Sequence, residues 1–429
     1  MTQKEFKEGL LRGQGRCIQA VQANPDKYYN LILWACRHEI SFDAQCEGTR
    51  AWYVYQLINC HQNKASFLEA AVQSFESTKS DGGWKMLYLS ELLYRFSCDG
   101  EDAADKALWC KYEKLYGNLM TRKRRPSGLF HERDDFVMLC QVLAEDKAAF
   151  IKIAEDIGRL YCEKSFYDGF DFDWLYESKG KRHRSTLTKL AKKSINIEQY
   201  LRVSQEFEQE WVVSRESRTE NTSKKGIALS RWLKREADKD TVLYYAHAYI
   251  EQSDFEARAE ALTAFSRCPY PENPSPIIED TKSGCERLKE VAWQALENIR
   301  HPMVREFALK NLKNNLETVL PVFIKNYQEQ DATLLESLVK SIYVDFDDTT
   351  GWHGVYYDVL RMVYDGLKAS ATLIQHIYET TYCSCCRERA FLQMRKRRML
   401  TNEILQECLL DSNDDIRTYA NQCLKKRKQ

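Results

Sequence analysis

A short helical pattern recurs in the C-terminal half of this chain: an apolar residue, a charged residue, then apolar positions three, four and eight residues after the first. It reads as MVREFALKNL around Val304, DIRTYANQCL around Ile416 and, more loosely, EARAEALTAF around Ala257. A chain that repeats one helix type every few tens of residues hides the apolar face of each unit on its neighbour, which constrains it to a helical array. Such an array fixes architecture and leaves activity open, because an array is a surface on which many functions sit.

The last segment, DSNDDIRTYANQCLKK, carries every helix signal in order. Asn413 is placed to cap the free amides, and Asp414 and Asp415 put negative charge at the positive end of the helix dipole. Ile416, Tyr419, Ala420, Cys423 and Leu424 then share one face, and two lysines close the other end. The same offsets give Val304, Phe307, Ala308 and Leu312. In the helix before it they give Leu288, Val291, Ala292, Ala295 and Leu296, and upstream Ala257, Ala261, Ala264 and Phe265. Cys386, Ala390 and Met394 follow the pattern more loosely. Leu288 and Val304 are one helix and a turn apart, which predicts an antiparallel hairpin. Alanine at the fourth offset lets stacked helices approach closely. The arginine after the first apolar residue, at Arg258, Arg305, Arg387 and Arg417, can reach an acidic cap or a neighbouring carbonyl.

This combination resembles the HEAT repeat family from about 254 to 426, with spacings near the family's ~40–47 residues only in part. The resemblance implies an all-α fold: a right-handed α-solenoid, or superhelix, of HEAT-like antiparallel helix hairpins. Toward the N-terminus the likeness weakens. EGTRAWYVYQLI has Arg50 and a face of Trp52, Tyr53 and Leu57, with bulkier rings than the repeat prefers. Stretches rich in Gly, Pro, Ser or charge mark loops at Thr121–Gly128, Glu177–Ser185, Ser214–Gly226 and Cys268–Pro276. The expected organisation is a helical region of divergent repeats or a bundle over 1–180, a helical connecting region with charged loops over 181–270, and HEAT-like repeats over 271–429.

With 429 residues the chain is long for one core, so two or three domains or an elongated array are expected. Its 63 basic and 63 acidic residues cancel, which argues against coating nucleic acid through overall charge. The opening segment is polar and amphipathic, and the 15 cysteines are scattered, so they read as reduced, buried, small apolar residues. Apolar runs are too short to span a bilayer. A cytoplasmic location with no membrane partner is the expectation.

Few constellations point to chemistry. Cys383 and Cys386 have the two-residue gap of a zinc knuckle, but no second pair follows at matched spacing, so no metal is expected. Two acidic aromatic segments stand out, one with Asp168, Asp171, Asp173 and Trp174, the other with Asp345, Asp347, Asp348, Trp352 and His353. Neither fits a calcium loop. Read as cap and loop residues, their rings dock on the core; read functionally, Trp beside charge is a favoured interface contact. Phosphate-binding loops, nucleophile elbows and zinc-protease motifs are absent from the sequence, and no cofactor is expected.

The leading reading is a non-enzymatic scaffold that binds a protein partner on its concave surface, with Trp174, Asp171, Asp173, Trp352 and Asp347 as candidate partner-binding residues and exposed rings as anchors. The alternative is nucleic-acid binding. The chain is loosely similar to the HEAT-like alkylpurine DNA glycosylases, in which an aspartate and aromatic rings beside a basic channel act on the damaged base. That resemblance transfers no role to a particular position here. The basic clusters that would serve such a channel are Arg122, Lys123, Arg124 and Arg125, and Arg395, Lys396, Arg397 and Arg398.

Overall fold

The structure is a computed structural model describing residues 1–79, 83–123, 131–164, 167, 172, 175–217, 222–347 and 351–428. Among the described residues every regular element is helical and no strand occurs. No described helix is long and apolar enough to cross a membrane. The chain divides into two compact units: the first comprises Met1–Ser214, Tyr382–Glu388 and Leu400–Gln429, the second Arg215–Thr381 and Arg389–Met399.

In the first unit the helices run α1 (Gln3–Arg12), α2 (Arg16–Ala23), α3 (Tyr29–Ala35), α4 (Ala44–Glu47), α5 (Ala51–Ile58), α6 (Ala65–Ser77), α7 (Trp84–Cys98), α8 (Asp102–Thr121), α9 (His131–Leu143), α10 (Lys147–Glu163), α11 (Lys181–Ala191) and most of α12 (Ile195–Ser217). At its centre lies α7, which packs on α5, α6, α8 and α9. Its sequence explains this: Met86, Tyr88, Leu89, Leu92, Leu93 and Phe96 are all fully buried, and a helix apolar nearly all round belongs inside. The Tyr88 hydroxyl, buried with its ring, donates to the Ala35 carbonyl at 2.5 Å, so the polar handle is satisfied.

The second unit contains α13 (Thr222–Arg235), α14 (Lys239–Ile250), α15 (Phe255–Leu262), α16 (Ser275–Asp280), α17 (Glu286–Leu296), α18 (Pro302–Asn311), α19 (Leu316–Lys325), α20 (Ala332–Lys340), α21 (Gly351–Tyr364), α22 (Ala371–Thr380) and the Arg389–Lys396 part of α23 (Ser384–Lys396). Here alternate helices pack on one another: α15 on α17, α17 on α19 and α19 on α21, with α16 on α18 and α20 on α22. The apolar stripes read from sequence face inward. Leu288, Ala292, Ala295, Leu296, Val304, Ala308 and Leu312 are fully buried, and Val291 nearly so. Each fully buried Leu or Val contributes about 1.5–3 kcal/mol relative to exposure.

Two local expectations are corrected. The hairpins close as α16 with α17 and α18 with α19, whereas α17 and α18 meet through the stacked rings of Trp293 and Phe307, 5.4 Å apart. In α15 the buried positions are Ala259 and Leu262, with Ala257 and Ala261 half-buried. The α-helix stops at Leu262 and a 3₁₀ turn, Thr263–Phe265, follows. Its tighter winding turns Ala264 and Phe265 back into the core.

The last two helices, α24 (Asn402–Cys408) and α25 (Asp414–Lys428), belong to the first unit and pack on each other. Asn413 caps α25, accepting from the Ile416 amide at 3.0 Å, and Ile416 and Ala420 are fully buried. This terminal pair is joined to the start of the chain. The Ser412 amide donates to the Gly13 carbonyl at 2.8 Å, and Arg16 pairs with Glu407 at 2.7 Å. A Cβ on Gly15 would stand 2.0 Å from the Glu407 carbonyl oxygen, so only glycine allows this approach.

The repeat's arginines do what their position suggests. Arg258 reaches Asp280 at 2.8 Å, Arg305 takes both oxygens of Asp331 at 2.7 Å, and Arg387 takes both oxygens of Asp411 at 3.1 and 2.7 Å. Arg417 donates to the carbonyls of Asp411 and Ser412 at 2.7 and 2.9 Å. Each arginine–aspartate pair ties the first turn of one helix to the end of the next or to the turn that follows it, which fixes the spacing of successive helices, whereas Arg417 binds the turn before its own helix.

Candidate functional site

In the second unit, a groove of ≈ 540 Å³ runs between α21 and the Arg389–Lys396 part of α23. Its walls follow from helical spacing. On α21 the lining residues are Tyr357, Leu360, Arg361 and Tyr364; on α23 they are Arg389, Leu392, Gln393 and Lys396. Both sets follow the same i, i+3, i+4, i+7 offsets, so each helix turns one stripe to the groove. The opposite faces are buried: Val355, Val359 and Val363 on α21, Ala390, Phe391 and Met394 on α23. Gly366, at φ 94°, closes α21: the Leu367 amide bonds back to the Met362 carbonyl at 3.1 Å, leaving Tyr364 and Asp365 at the groove's end.

The groove combines aromatic surface with positive charge. Tyr364 is 80% exposed and Tyr357 39%. The Arg389 guanidinium lies over the Tyr357 ring, 4.7 Å from its centroid, and holds the ring in place without using up its own charge. Three cations, Arg361, Arg389 and Lys396, face one carboxylate, Asp365. None of the three cations forms an ion pair among the described residues.

Arg361 and Asp365 also line a neighbouring pocket of ≈ 290 Å³, together with Glu297, Asp358, Lys325 and Lys234. Burial in this concavity pushes the Glu297 carboxyl up to about 7, the Asp358 charge adds to the rise, and Arg361 opposes it. Asp358 is likewise raised by burial. Arg361 therefore stands between two difficult carboxylates on one side and the open groove on the other.

The residues expected from sequence are placed as follows. Asp171, Asp173 and Trp174 lie outside the described residues, as do Arg124 and Arg125. Trp352 is 1% exposed, and its indole N–H donates to the Asp345 carbonyl at 2.8 Å, so an anchoring role at the surface is corrected: the ring is part of the core. Asp347 is exposed, its amide bonded to the Asp345 side chain at 3.1 Å. Arg122 ends α8 and Lys123 is exposed beside it in the first unit. Of the other basic run, Arg395 and Lys396 occupy the last turn of α23, and Lys396 lines the groove. Arg397 is bound to the Ala369 carbonyl at 2.6 Å, and Arg398 takes a left-handed φ of 60° to end the helix. Cys383 and Cys386 are buried, and the Cys386 amide donates to Cys383 Sγ at 3.5 Å, so this thiol caps the first turn of α23.

Tyr357, Arg361, Tyr364 and Arg389 were missed by sequence reasoning. The legible signal was a second stripe, aromatic and basic, on helices whose apolar stripe was already assigned. No family model, curated protein or solved structure matches the chain.

Proposed function

We propose that this chain is a non-enzymatic, HEAT-like scaffold that holds an acidic, aromatic-bearing segment of a protein partner in the α21–α23 groove. The observation that carries the reading is the ring of three cations around two exposed tyrosines with a single opposing carboxylate. An acidic segment would neutralise Arg361, Arg389 and Lys396, while its aromatic side chains pack on Tyr357 and Tyr364; tyrosine and arginine are the residues enriched at interface hot spots. Support for the solenoid part comes from the alternate packing of α15, α17, α19 and α21 and from the recurring arginine–aspartate pairs. Right-handed superhelical stacking and a cytoplasmic location, where the cysteines stay thiols, belong to the same reading.

The test uses the full chain and a fluorescent peptide of alternating glutamate and phenylalanine. Binding measured by anisotropy weakens at least ~10-fold between about 50 and about 300 mM salt. Arg361→Glu and Arg389→Glu each abolish it, and a peptide with glutamine in place of glutamate does not bind. Peptide binding that persists in both variants would overturn the proposal. Duplex DNA that binds more tightly than the peptide and loses affinity in the same variants would replace the protein partner with nucleic acid.

A further inference from the structure

One helix of the first unit breaks the charge balance of the chain. Between Lys179 and Lys193 the sequence carries seven cations and no carboxylate, in a chain whose 63 basic and 63 acidic residues cancel. The segment winds as a π-helical turn, Tyr176–Gly180, and then as α11. Spacing fixes its packed face: Leu187 is fully buried, Leu190 half-buried, and the His183 ring rests on Phe150 of α10 with centroids 5.1 Å apart. These three positions follow i, i+4, i+7 offsets, so the opposite side of the helix turns to solvent. That side presents Arg182, Arg184 and Lys189, and Lys192 and Lys193 extend it past the last turn; all five are exposed.

Other exposed helices of this protein place their charges differently. Lys152 pairs with Asp156, Arg202 with Glu206 and Lys340 with Glu336, each across one helical turn. On α11 Lys181 has such partners, Glu177 and Glu208, both at 2.8 Å. None of the five outward cations forms an ion pair among the described residues. Lys181 with Arg184, and Lys189 with Lys193, set like charges one turn apart, a spacing that weakens a helix. His183 registers the same surroundings: burial first, then the charges of Arg182, Lys147 and Lys179, hold it below its ordinary value. Positive charge gathered on one face and left unpaired is complementary to a polyanion.

We infer that the outward face of α11 binds the phosphate backbone of a nucleic-acid duplex without reading its sequence. From Arg182 to Lys193 the helical rise covers about 16 Å, or about five base-pair steps at ~3.4 Å each, so cation and phosphate spacing are commensurate. What stands between the cations selects the partner. Ser185 and Thr188 lie there, and no aromatic ring does, so the face has nothing on which unpaired bases would stack. A bilayer would call for long apolar side chains on the same face, and between Lys181 and Lys193 it presents none. Lysine and arginine contacts to phosphate position a duplex and carry no base information. This surface shares no residue with the α21–α23 groove, so either reading can fail alone.

The probe is a fluorescein-labelled duplex of about 20 base pairs, titrated with the full chain and read by anisotropy. Neutralising about five phosphates gives a slope of roughly −4 to −5 in log affinity against log salt, a loss of roughly 100- to 1,000-fold between about 50 and about 200 mM. Arg182→Glu combined with Arg184→Glu weakens binding at least ~30-fold at about 50 mM salt and makes the slope shallower by about 2. The peptide affinity of the α21–α23 groove is unchanged in that variant. Lys106→Glu combined with Lys114→Glu, both exposed on α8, alters net charge equally and costs less than ~3-fold. Absence of duplex binding at about 50 mM salt, equal losses in the two double variants, or loss in Arg361→Glu in place of the α11 variant overturns the inference. Phosphatidylserine vesicles bound more tightly than the duplex would overturn it in favour of an anionic lipid surface.

Discussion

In the first unit the Arg387–Asp411 pair is 0% and 2% exposed, whereas in the second the Arg305–Asp331 pair is 16% and 7% exposed and Arg258–Asp280 20% and 11%. All three come from the same sequence position, and partner separations of 24, 26 and 22 residues place them at equivalent turns. What differs is depth. Arg387 also donates to the Arg12 carbonyl and to the Ser412 hydroxyl, so its guanidinium holds the start and the end of the chain together. The same motif spaces neighbouring helices in one unit and fastens distant segments in the other.

The comparison breaks most sharply at Arg387. Removing one partner of a buried ion pair leaves an uncompensated charge and costs about 3–5 kcal/mol, so Arg387→Ala is expected to lower the urea midpoint further than a substitution at either of the other two arginines. Replacing both partners with apolar residues, Arg387→Met with Asp411→Leu, should recover much of that loss. Recovery stays incomplete because the Arg12 carbonyl and Ser412 hydroxyl lose their donor. A double variant no more stable than the single would show that these bonds, rather than the buried charge, carry the effect.

Arg305→Ala is expected to cost less, about 1–3 kcal/mol, since two charge-assisted bonds and one to the Asn326 carbonyl are lost near solvent. Arg258→Ala should cost least of the three, at about 1 kcal/mol, because a single guanidinium nitrogen meets Asp280 and the Tyr249 hydroxyl, 2.5 Å from the same carboxylate, remains to serve it. Equal losses at Arg258 and Arg387 in urea titrations would contradict the ordering by depth.

Much of this was written in the sequence, and the limit has a physical cause. Helical periodicity placed Val304, Ile416, Ala390 and Leu288 in the core, because burial of one face follows directly from spacing. The arginines were legible for the same reason. Their aspartates were not, since no periodicity links Arg387 to Asp411; only folding brings the turn after α24 to the start of α23. Trp352 misled because a tryptophan beside carboxylates looks the same in sequence whether its N–H meets a partner protein or, as here, the Asp345 carbonyl. The groove rings escaped because Tyr357 and Tyr364 lie seven residues apart on a helix already explained by its apolar stripe.

The smallest expected effect concerns one carboxyl in each unit. Glu39, in the first, is pushed up to about 7 chiefly by burial, against the opposing bonds from Ser41 and the charge of Arg50. Glu297, in the second, reaches about 7 through burial and Asp358, against Arg361. A carboxyl whose folded value exceeds its ordinary 4.5 favours the protonated native state, so its contribution to stability is complete below 4.5 and is lost as pH rises through about 7. Both units should therefore lose stability from this source across that window. Glu39 is half-buried and hydrogen-bonded in place, while Glu297 reaches solvent from its pocket, where water screens the charge. Glu39→Gln should accordingly flatten the dependence of the urea midpoint on pH more than Glu297→Gln does. A steeper response to Glu297→Gln would reverse the assignment and make the pocket beside Arg361 the more strained of the two environments.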